Sequence, residues 1–288
     1  MKKESRVAES TLESLAEQAK EGDKDALEAL IQRIQDHVYG LAIRMLWHPA
    51  DAEDATQEIL VKIVTHLGSF RQESNFTTWV YRIASNHLLT THKRRVERRE
   101  MTFEQYEEQI DRGLSGVALK SPLEAEQSLL VEEIRIRCMQ GMLLCLDRNL
   151  RIAYILGEIF EVISDQGGHI LNITTTAFRK RLSRARTRIR NFMRKKCSLV
   201  NPANPCHCAQ QLTHAIETGS IDNHKLLFAE HPRHDRNDIG ILNRLKEMDE
   251  LRRVAVLFRS HPDYAAPEDF VEGVKELMNS DKFRLLRG

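Results

Sequence analysis

Long apolar runs are missing from this sequence. No stretch approaches the roughly 20 apolar residues that a membrane-spanning helix needs, and the N-terminal MKKESRVAES lacks the apolar core of a secretory signal. We therefore expect no membrane contact and a cytoplasmic protein. Aromatic residues make up only 6% of the chain, and no useful length alternates apolar and polar residues, so a β-rich fold is not expected.

The sequence contains few cysteines and none of the common catalytic motifs. The five cysteines are an odd number with irregular spacing, which favours reduced thiols over a disulfide framework. Two of them, Cys138 and Cys145, lie seven residues apart on a predicted helix, and we expect their side chains in the protein core. A P-loop, a GxSxG motif, an HExxH motif and a paired-carboxylate motif are all absent. The sequence therefore predicts neither an enzyme nor a required cofactor.

One segment carries charge of a single sign. Residues 174–196 contain ten Lys and Arg and no Asp or Glu, although the whole chain has a net charge of only +1. The apolar residues of this segment recur every three or four positions, at Phe178, Leu182, Ala185, Ile189 and Phe192. This spacing predicts an amphipathic helix that packs on one side and offers cations to a polyanion on the other. A solvated basic helix, or one that docks on an acidic partner, remains open.

A helix-turn-helix spacing precedes the basic helix. The stretch VISDQGGHILN predicts a short helix capped by Ser164 and then a tight turn around Asn172. In this geometry, residues at the start of the second helix meet base edges while flanking cations hold phosphates. We therefore predict DNA contacts from the basic helix, at Thr175, Thr176, Arg179, Lys180, Arg184 and Arg186.

Two glycines lie in the first helix of this motif. Gly167 and Gly168 each cost roughly 1 kcal/mol relative to alanine inside a helix. Either the helix is short and held by tertiary packing, or Gly168 permits a close approach to the basic helix.

A second patterned block lies nearer the N-terminus. The stretch DAEDATQEILVKIVTHL predicts an amphipathic helix, with Ile59, Ile63 and Leu67 on its apolar side and carboxylates in its first turn. The polar loop GSFRQESNF follows, and then a further helix with a basic end. Helix capping explains the carboxylates of the first turn. Capping involves only part of the polar face, so the rest of that face is compatible with a further role.

Both blocks resemble the extracytoplasmic-function (ECF) branch of the bacterial sigma-70 factors. RKRLSRARTRIRNFM resembles the end of region four, and residues 51–95 resemble region two, from the D-A-E-D opening to T-W-x-x-R-I-A-x-N and the basic end. The two matches occur in the family's order, so the resemblance covers roughly residues 10–196. Gly167, Gly168 and His169 depart from the family pattern, which usually has a triplet like Glu-Ile-Ala there.

Helical periodicity along almost the whole chain predicts an all-α fold, and the resemblance divides it into two small helical domains. Region two would span residues 10–99 and the region four helix-turn-helix residues 127–196, joined by a flexible linker over residues 100–126. A helical extension would follow over residues 197–288.

The resemblance also implies partners and contacts. Core RNA polymerase and promoter DNA would be the partners, and a separate anti-sigma factor is a further candidate. Four polar residues of the first patterned helix would dock on the clamp helices of the polymerase β′ subunit: Asp54, Gln57, Glu58 and Lys62. The following loop and helix would hold an unstacked base of the minus-ten element, through Phe70, Phe76, Trp79, Arg82, Asn86, Lys93, Arg94 and Arg95. For Trp79, a place in the core is the competing expectation.

The predicted function is therefore transcription initiation. The resemblance implies a factor that binds core polymerase, reads the minus-ten and minus-thirty-five elements and assists promoter melting. A helix-turn-helix regulator acting without the polymerase is the alternative, but it leaves the match over residues 51–95 unexplained. An adaptor whose basic helix meets an acidic protein is a further alternative.

The extension holds three of the five cysteines. Cys197, Cys206 and Cys208, with His207 and His214 nearby, are candidate zinc ligands of a Cys₃His type. Their C-x₈-C-x-C spacing differs from the C-x₂-C pattern of common structural zinc sites, so redox-responsive thiols and structural cysteines stay open. Later stretches with helical periodicity predict helices that form a small bundle of their own or cover the sigma domains.

Overall fold

Helices make up the regular structure of the described chain. The computed structural model describes residues 10–90, 101–114, 125–222, 226–231, 245, 248–267 and 270–273, and within these ranges we find no strand beyond an isolated bridge. The prediction of an all-α fold is confirmed. None of the helices in these ranges is both long and apolar enough to cross a membrane.

Contacts divide the chain into two compact units. The first contains Met1–His92, Gly168–Thr174 and Tyr264–Gly288, and the second contains Lys93–Gly167 and Thr175–Asp263. The C-terminal extension therefore contributes residues to both units.

The first unit is built around one long helix. Its helices are α1 (Leu12–Lys20), α2 (Lys24–Leu46), α3 (Pro49–Thr65) and α4 (Phe76–Thr90), with a 3₁₀ turn at Leu67–Ser69. Helix α2 packs against α1, α3 and α4 and is buried along much of its length. The Asp23 carboxylate caps α2 by accepting from the backbone N–H groups of Asp25 and Ala26 at 2.9 and 3.1 Å.

The segment after Tyr264 packs on α2 in this unit. The backbone N–H of Ala266 donates to the Asp36 carboxylate at 2.9 Å. The Arg44 guanidinium lies 4.5 Å from the centre of the Tyr264 ring, which is buried. These contacts make Tyr264 and Ala266 of the extension part of the core of the first unit.

The second unit contains the remaining helices. They are α5 (Phe103–Gly113), α6 (Ala125–Leu144), α7 (Arg148–Tyr154), the start of α8 (Ser164–Ile170), α9 (Thr175–Lys196), α10 (Cys208–Glu217) and α11 (Glu250–Arg259). Helix α7 continues into a π-helical turn at Ile155–Ile159. Helix α9 packs on α7, and all five residues of its predicted apolar stripe are buried. The amphipathic pattern of the basic segment is thereby confirmed.

Helix α5 lies inside the segment predicted as a flexible linker. Thr102 and Gln105 form a capping box at its start. The Tyr106 ring stacks on Phe192 of α9 at 5.7 Å between centroids, and the Gln211 amide of α10 donates to the Ile110 carbonyl at 2.9 Å. This part of the predicted linker is therefore a packed helix, and the expectation of a flexible connection was wrong there. Residues 115–124 lie outside the described residues.

Helices of the extension pack on other helices of the second unit. Helix α10 lies against α5 and α6, where Leu212 and Ala215 join Ile134 in an apolar cluster. Helix α11 lies against the π-helical turn and α9. Within the described residues, the extension thus covers neighbouring helices instead of forming a bundle of its own.

A buried carboxylate fixes one loop of the extension. The Glu133 side chain on α6 accepts from the backbone N–H groups of Leu227, Phe228 and Ala229 at 3.1, 2.9 and 2.8 Å. It also accepts from Arg137 at 2.6 Å, one turn along α6. We call this group of contacts the Glu133 clamp.

Gly167 lies where α8 meets α9. A Cβ atom at this position would come within 2.4 Å of the Phe178 ring, and α8 is only seven residues long. The helix is thus short, and the close approach that the sequence suggests for Gly168 is found at Gly167. We expect Gly167→Ala to lower the free energy of unfolding by about 1–3 kcal/mol, because the ring has to shift.

Urea unfolding followed by circular dichroism measures this loss. Gly68→Ala is the matched control, since no atom lies within 4 Å of its added Cβ. The control should change the free energy of unfolding by less than about 0.5 kcal/mol. Equal losses in the two variants would contradict the packing argument.

Candidate nucleic-acid interface

The four residues predicted to meet the polymerase share the exposed face of α3. Asp54, Gln57, Glu58 and Lys62 follow helical spacing and all reach solvent. Lys62 donates from Nζ to Nδ1 of the buried His87 at 2.8 Å, and Nε2 of that ring lies 3.4 Å from Glu58. Because an ammonium group can only donate, Nδ1 accepts and Nε2 carries the proton towards Glu58. His87 of α4 thus holds the Lys62 and Glu58 side chains of this face in place. Polymerase binding by the face stays a prediction.

Two of the aromatic residues predicted to stack on a base are buried. Phe70 is 2% exposed and Phe76 is fully buried. Their rings lie 5.0 Å apart and each lies within 5.5 Å of Trp79, centre to centre. Lys20 of α1 donates to the Phe70 carbonyl. The prediction that Phe70 and Phe76 contact DNA was therefore wrong. Both rings are buried, where they hold the loop onto the core and offer no face to a base.

The exposed residues of α4 form a better candidate surface. Arg82 and Asn86 are exposed one turn apart, and the half-buried Trp79 lies on the same side of the helix. They line a groove with Arg71 and Glu73 of the preceding loop. Arg71 was not predicted, although its place in the polar loop was a usable signal. The predicted contacts at Lys93, Arg94 and Arg95 lie outside the described residues.

The turn before α9 follows the predicted course. Asn172 has a φ of 52°, and the N–H of Ile173 donates to the Gly168 carbonyl at 2.9 Å. Asparagine tolerates this left-handed conformation better than most residues. The predicted tight turn around Asn172 is thus confirmed.

The basic residues of α9 divide into two groups along the helix. Arg179, Lys180 and Arg184, towards its start, are exposed, as is Thr176. Thr175 is half-buried, and its hydroxyl donates to Asp165 at 2.9 Å. The start of the helix therefore presents the predicted DNA-contacting side chains, except that Thr175 has a partner within the protein.

The second half of α9 meets carboxylates of the protein itself. Arg186 pairs with the buried Glu158, and Arg188 lies 3.8 Å from Asp147. Near the C-terminal end, Lys195 and Lys196 pair with Glu107 of α5 at 2.6 Å and 2.8 Å, respectively. Lys196 also pairs with Asp111 of α5 at 2.8 Å. Hydrogen bonds from these two lysines hold the pKa of Glu107 below its ordinary value. The acidic partner considered for the basic helix is thus partly internal.

Glu158 joins α9 to the extension. Its side chain is only 8% exposed and pairs with Arg186. Arg259 at the end of α11 donates to the Glu158 carbonyl at 2.8 Å, approaches its carboxylate at 3.4 Å and pairs with Glu161 at 2.7 Å. The Arg186 side chain stays 49% exposed although it pairs with this buried carboxylate, so its predicted DNA contact stays a prediction. No sequence pattern marks the pairing, because it joins three distant segments.

The cysteines of the extension lie near a fourth cysteine. Burial, and then the neighbouring thiols, raise the pKa values of Cys138, Cys206 and Cys208. Cys197 is among those neighbours in all three cases. Across the part of the chain that the structure describes, no group of three or more His, Cys, Asp or Glu residues has an arrangement able to hold a metal ion. The zinc site therefore stays a prediction without a geometric basis.

Comparison with known proteins gives the family. The model of sigma-70 region 2 matches residues 30–99. The RNA polymerase sigma-H factor of Pseudomonas aeruginosa is 31% identical over 182 residues, which is 62% of this chain and 91% of that protein. The ECF RNA polymerase sigma-E factor of Escherichia coli K12 is 32% identical over 183 residues, 62% of this chain and 91% of that protein. The chain belongs to the ECF sigma factors.

The ECF sigma factor SigW of Bacillus subtilis gives the same result. It is 29% identical over 182 residues, which is 62% of this chain and 94% of the relative. This sigma factor is therefore a transcription initiation factor, and the alternative of a regulator acting without polymerase is not favoured. Sigma factors are not enzymes. The region-two match includes α3 and α4, so the predicted polymerase face and the groove beside Arg82 both lie within it.

Proposed function

We propose that this sigma factor binds core RNA polymerase through the exposed face of α3 and guides it to promoters through α4 and α9. The face beside Arg82 would hold the melted minus-ten strand, and the start of α9 would read the minus-thirty-five element. The polymerase would supply the chemistry of nucleotide addition, so no catalytic group is required of this chain. The same proposal assigns the chain to the cytoplasm, where polymerase and chromosome meet.

The division of charge along α9 carries the DNA part of this proposal. Arg179, Lys180 and Arg184 are exposed, whereas four cations further along pair with carboxylates of the same unit: Arg186, Arg188, Lys195 and Lys196. In a helix-turn-helix, the start of the second helix enters the major groove. If α9 instead bound an acidic protein along its whole length, internal ion pairs confined to its second half would not be expected.

The surface of α4 supports the single-strand part. Trp79 offers part of an aromatic side chain, and Arg82 and Asn86 add a cation and an amide on the same side of the helix. Binding of an unstacked base requires an aromatic or planar surface together with cations near the backbone. The loss of stacking costs a few kcal/mol, so the contact selects sequences that open easily.

The proposal is tested by transcription on a supercoiled library of genomic fragments, with bacterial core polymerase alone and with the full chain added. We expect new, discrete start sites that share two upstream elements. Core polymerase that binds the chain but gains no start sites would contradict the promoter part of the proposal. A chain that does not bind core polymerase at all would contradict the whole proposal.

A charge reversal tests the α3 face directly. We expect Asp54→Arg to weaken binding to core polymerase by about tenfold or more, since it places a like charge or an unpaired charge in the interface. Glu21→Arg is the matched control, because it makes the same charge change at an exposed residue after α1. Binding to immobilised core polymerase measures both variants. Equal binding by the two would remove α3 from the proposed interface.

A further inference from the structure

Two cysteines face each other where the recognition helix ends. Helix α9 ends at Lys196, and the next residue, Cys197, forms an isolated parallel bridge with Cys206. The backbone N–H of Ser198 donates to the Cys206 carbonyl at 3.1 Å. The Asn204 amide donates to the carbonyls of Arg194 and Cys197 at 2.8 and 3.2 Å. The short loop between the two cysteines is thus held closed by hydrogen bonds.

This backbone spacing is the one that a disulfide requires. Neighbouring bridged segments lie about 4.8 Å apart, and disulfides form where the Cα atoms are about 4.4–6.8 Å apart. Side chains of directly bridged residues also point to the same side of the two segments. Both Cys197 and Cys206 carry free thiols and are partly exposed. Closing the bond would therefore need side-chain rotation and little movement of the backbone.

Burial dominates the surroundings of the Cys206 thiol. The Gln211 amide approaches the Cys206 sulfur at 3.7 Å, and the Lys196 cation also favours its thiolate. Burial nevertheless outweighs both and raises the pKa of Cys206 to about 11. Cys206 is therefore mostly a neutral thiol at neutral pH, and we expect its oxidation to be slow compared with that of a dedicated thiolate.

We propose that Cys197 and Cys206 form a dithiol site, which a hydroperoxide converts to an intramolecular disulfide. The Cys206 sulfur attacks the peroxide and takes one oxygen, forming a sulfenic acid and releasing water or an alcohol. The Cys197 sulfur then displaces the hydroxyl group, which leaves as water with the thiol proton, and the sulfur–sulfur bond forms. Two thiols are oxidised and one peroxide is reduced, so atoms and electrons balance. The disulfide would join the end of α9 covalently to the loop before α10.

The test uses the full chain and needs no variant to be decisive. The reduced, metal-free protein is treated with hydrogen peroxide, remaining thiols are alkylated, and the cysteines that have formed a disulfide are identified by mass spectrometry. Fragment spectra must locate the bond, because no Lys or Arg lies between Cys197 and Cys208 and trypsin therefore leaves all three cysteines in one peptide. We expect the Cys197–Cys206 linkage to exceed every other pair by about tenfold, since this pair has bridged backbone geometry.

Variants and controls sharpen the result. Cys197→Ser and Cys206→Ser should each abolish the linkage, whereas Cys145→Ser should leave it unchanged, because that sulfur lies near Thr102 instead. A dominant linkage through Cys138 or Cys208 would overturn the proposal. So would oxidation to sulfinic acid without any linkage, or stoichiometric zinc binding by the reduced protein that blocks disulfide formation.

Discussion

Replacing Glu133 with alanine is expected to lower the free energy of unfolding by about 3–5 kcal/mol. The carboxylate is fully buried and accepts from three consecutive backbone N–H groups of the extension and from Arg137. Alanine would leave these donors without their acceptor, in a place that water does not reach easily. Each unsatisfied buried donor costs about 1–3 kcal/mol, so this loss should exceed that of an ordinary surface substitution.

Urea unfolding with a circular dichroism signal measures the effect, and Glu108→Ala is the matched control. The Glu108 side chain is 72% exposed and lies 4.0 Å from Arg112, so its removal should cost about 0–0.5 kcal/mol. Glu133→Gln should fall between the two, because one acceptor oxygen remains. A Glu133→Ala protein as stable as the control would show that the Glu133 clamp does not hold the extension.

Removing two cations from the start of α9 is expected to weaken promoter binding of the polymerase complex by about 100-fold. Lys180→Ala together with Arg184→Ala removes two exposed cations, and each contact to DNA is worth about 1–3 kcal/mol. If both meet phosphates, the slope of log affinity against log salt should become shallower by about 1.8. Binding to promoter DNA across a salt series measures both quantities.

The matched control removes the same charge from the other half of α9. Arg188→Ala together with Lys195→Ala takes away two cations that pair with Asp147 and Glu107. This pair should weaken binding by less than about tenfold, since the lost cations are already neutralised within the protein. Equal losses from the two double variants would mean that net charge alone matters, and that the start of the helix does not read DNA.

Local patterns predicted the helices and the turn because their causes are local. The apolar stripe of α9 repeats with the helical period, and each of its residues is buried as that period requires. Asn172 marks the turn through its tolerance of positive φ. The linker helix α5 was missed although Thr102 and Gln105 gave a usable capping signal, because the stretch between the two matches was predicted to be a flexible connection.

The errors in the site arise from contacts between distant segments. Phe70 and Phe76 follow a polar loop, so the sequence alone cannot show that Trp79 and α1 bury their rings. Arg186 is exposed like its neighbours, and the sequence alone does not show its ion pair with Glu158, which lies 28 residues away. The proximity of Cys138 to the cysteines of the extension likewise depends on packing of α6.

The Glu133 clamp has a consequence for the order in which the nascent chain can fold. The ribosome adds Glu133 to the chain 95 residues before Phe228. At a translation rate of about 5–20 residues per second, roughly 5–20 s pass before the donors of the Glu133 clamp are synthesised. Asp36 waits still longer, because Ala266 follows it by 230 residues. Such long separations slow folding, and they leave apolar surfaces open while the ribosome is still at work. Segments around Phe228 and Ala266 therefore complete cores that helices earlier in the chain began.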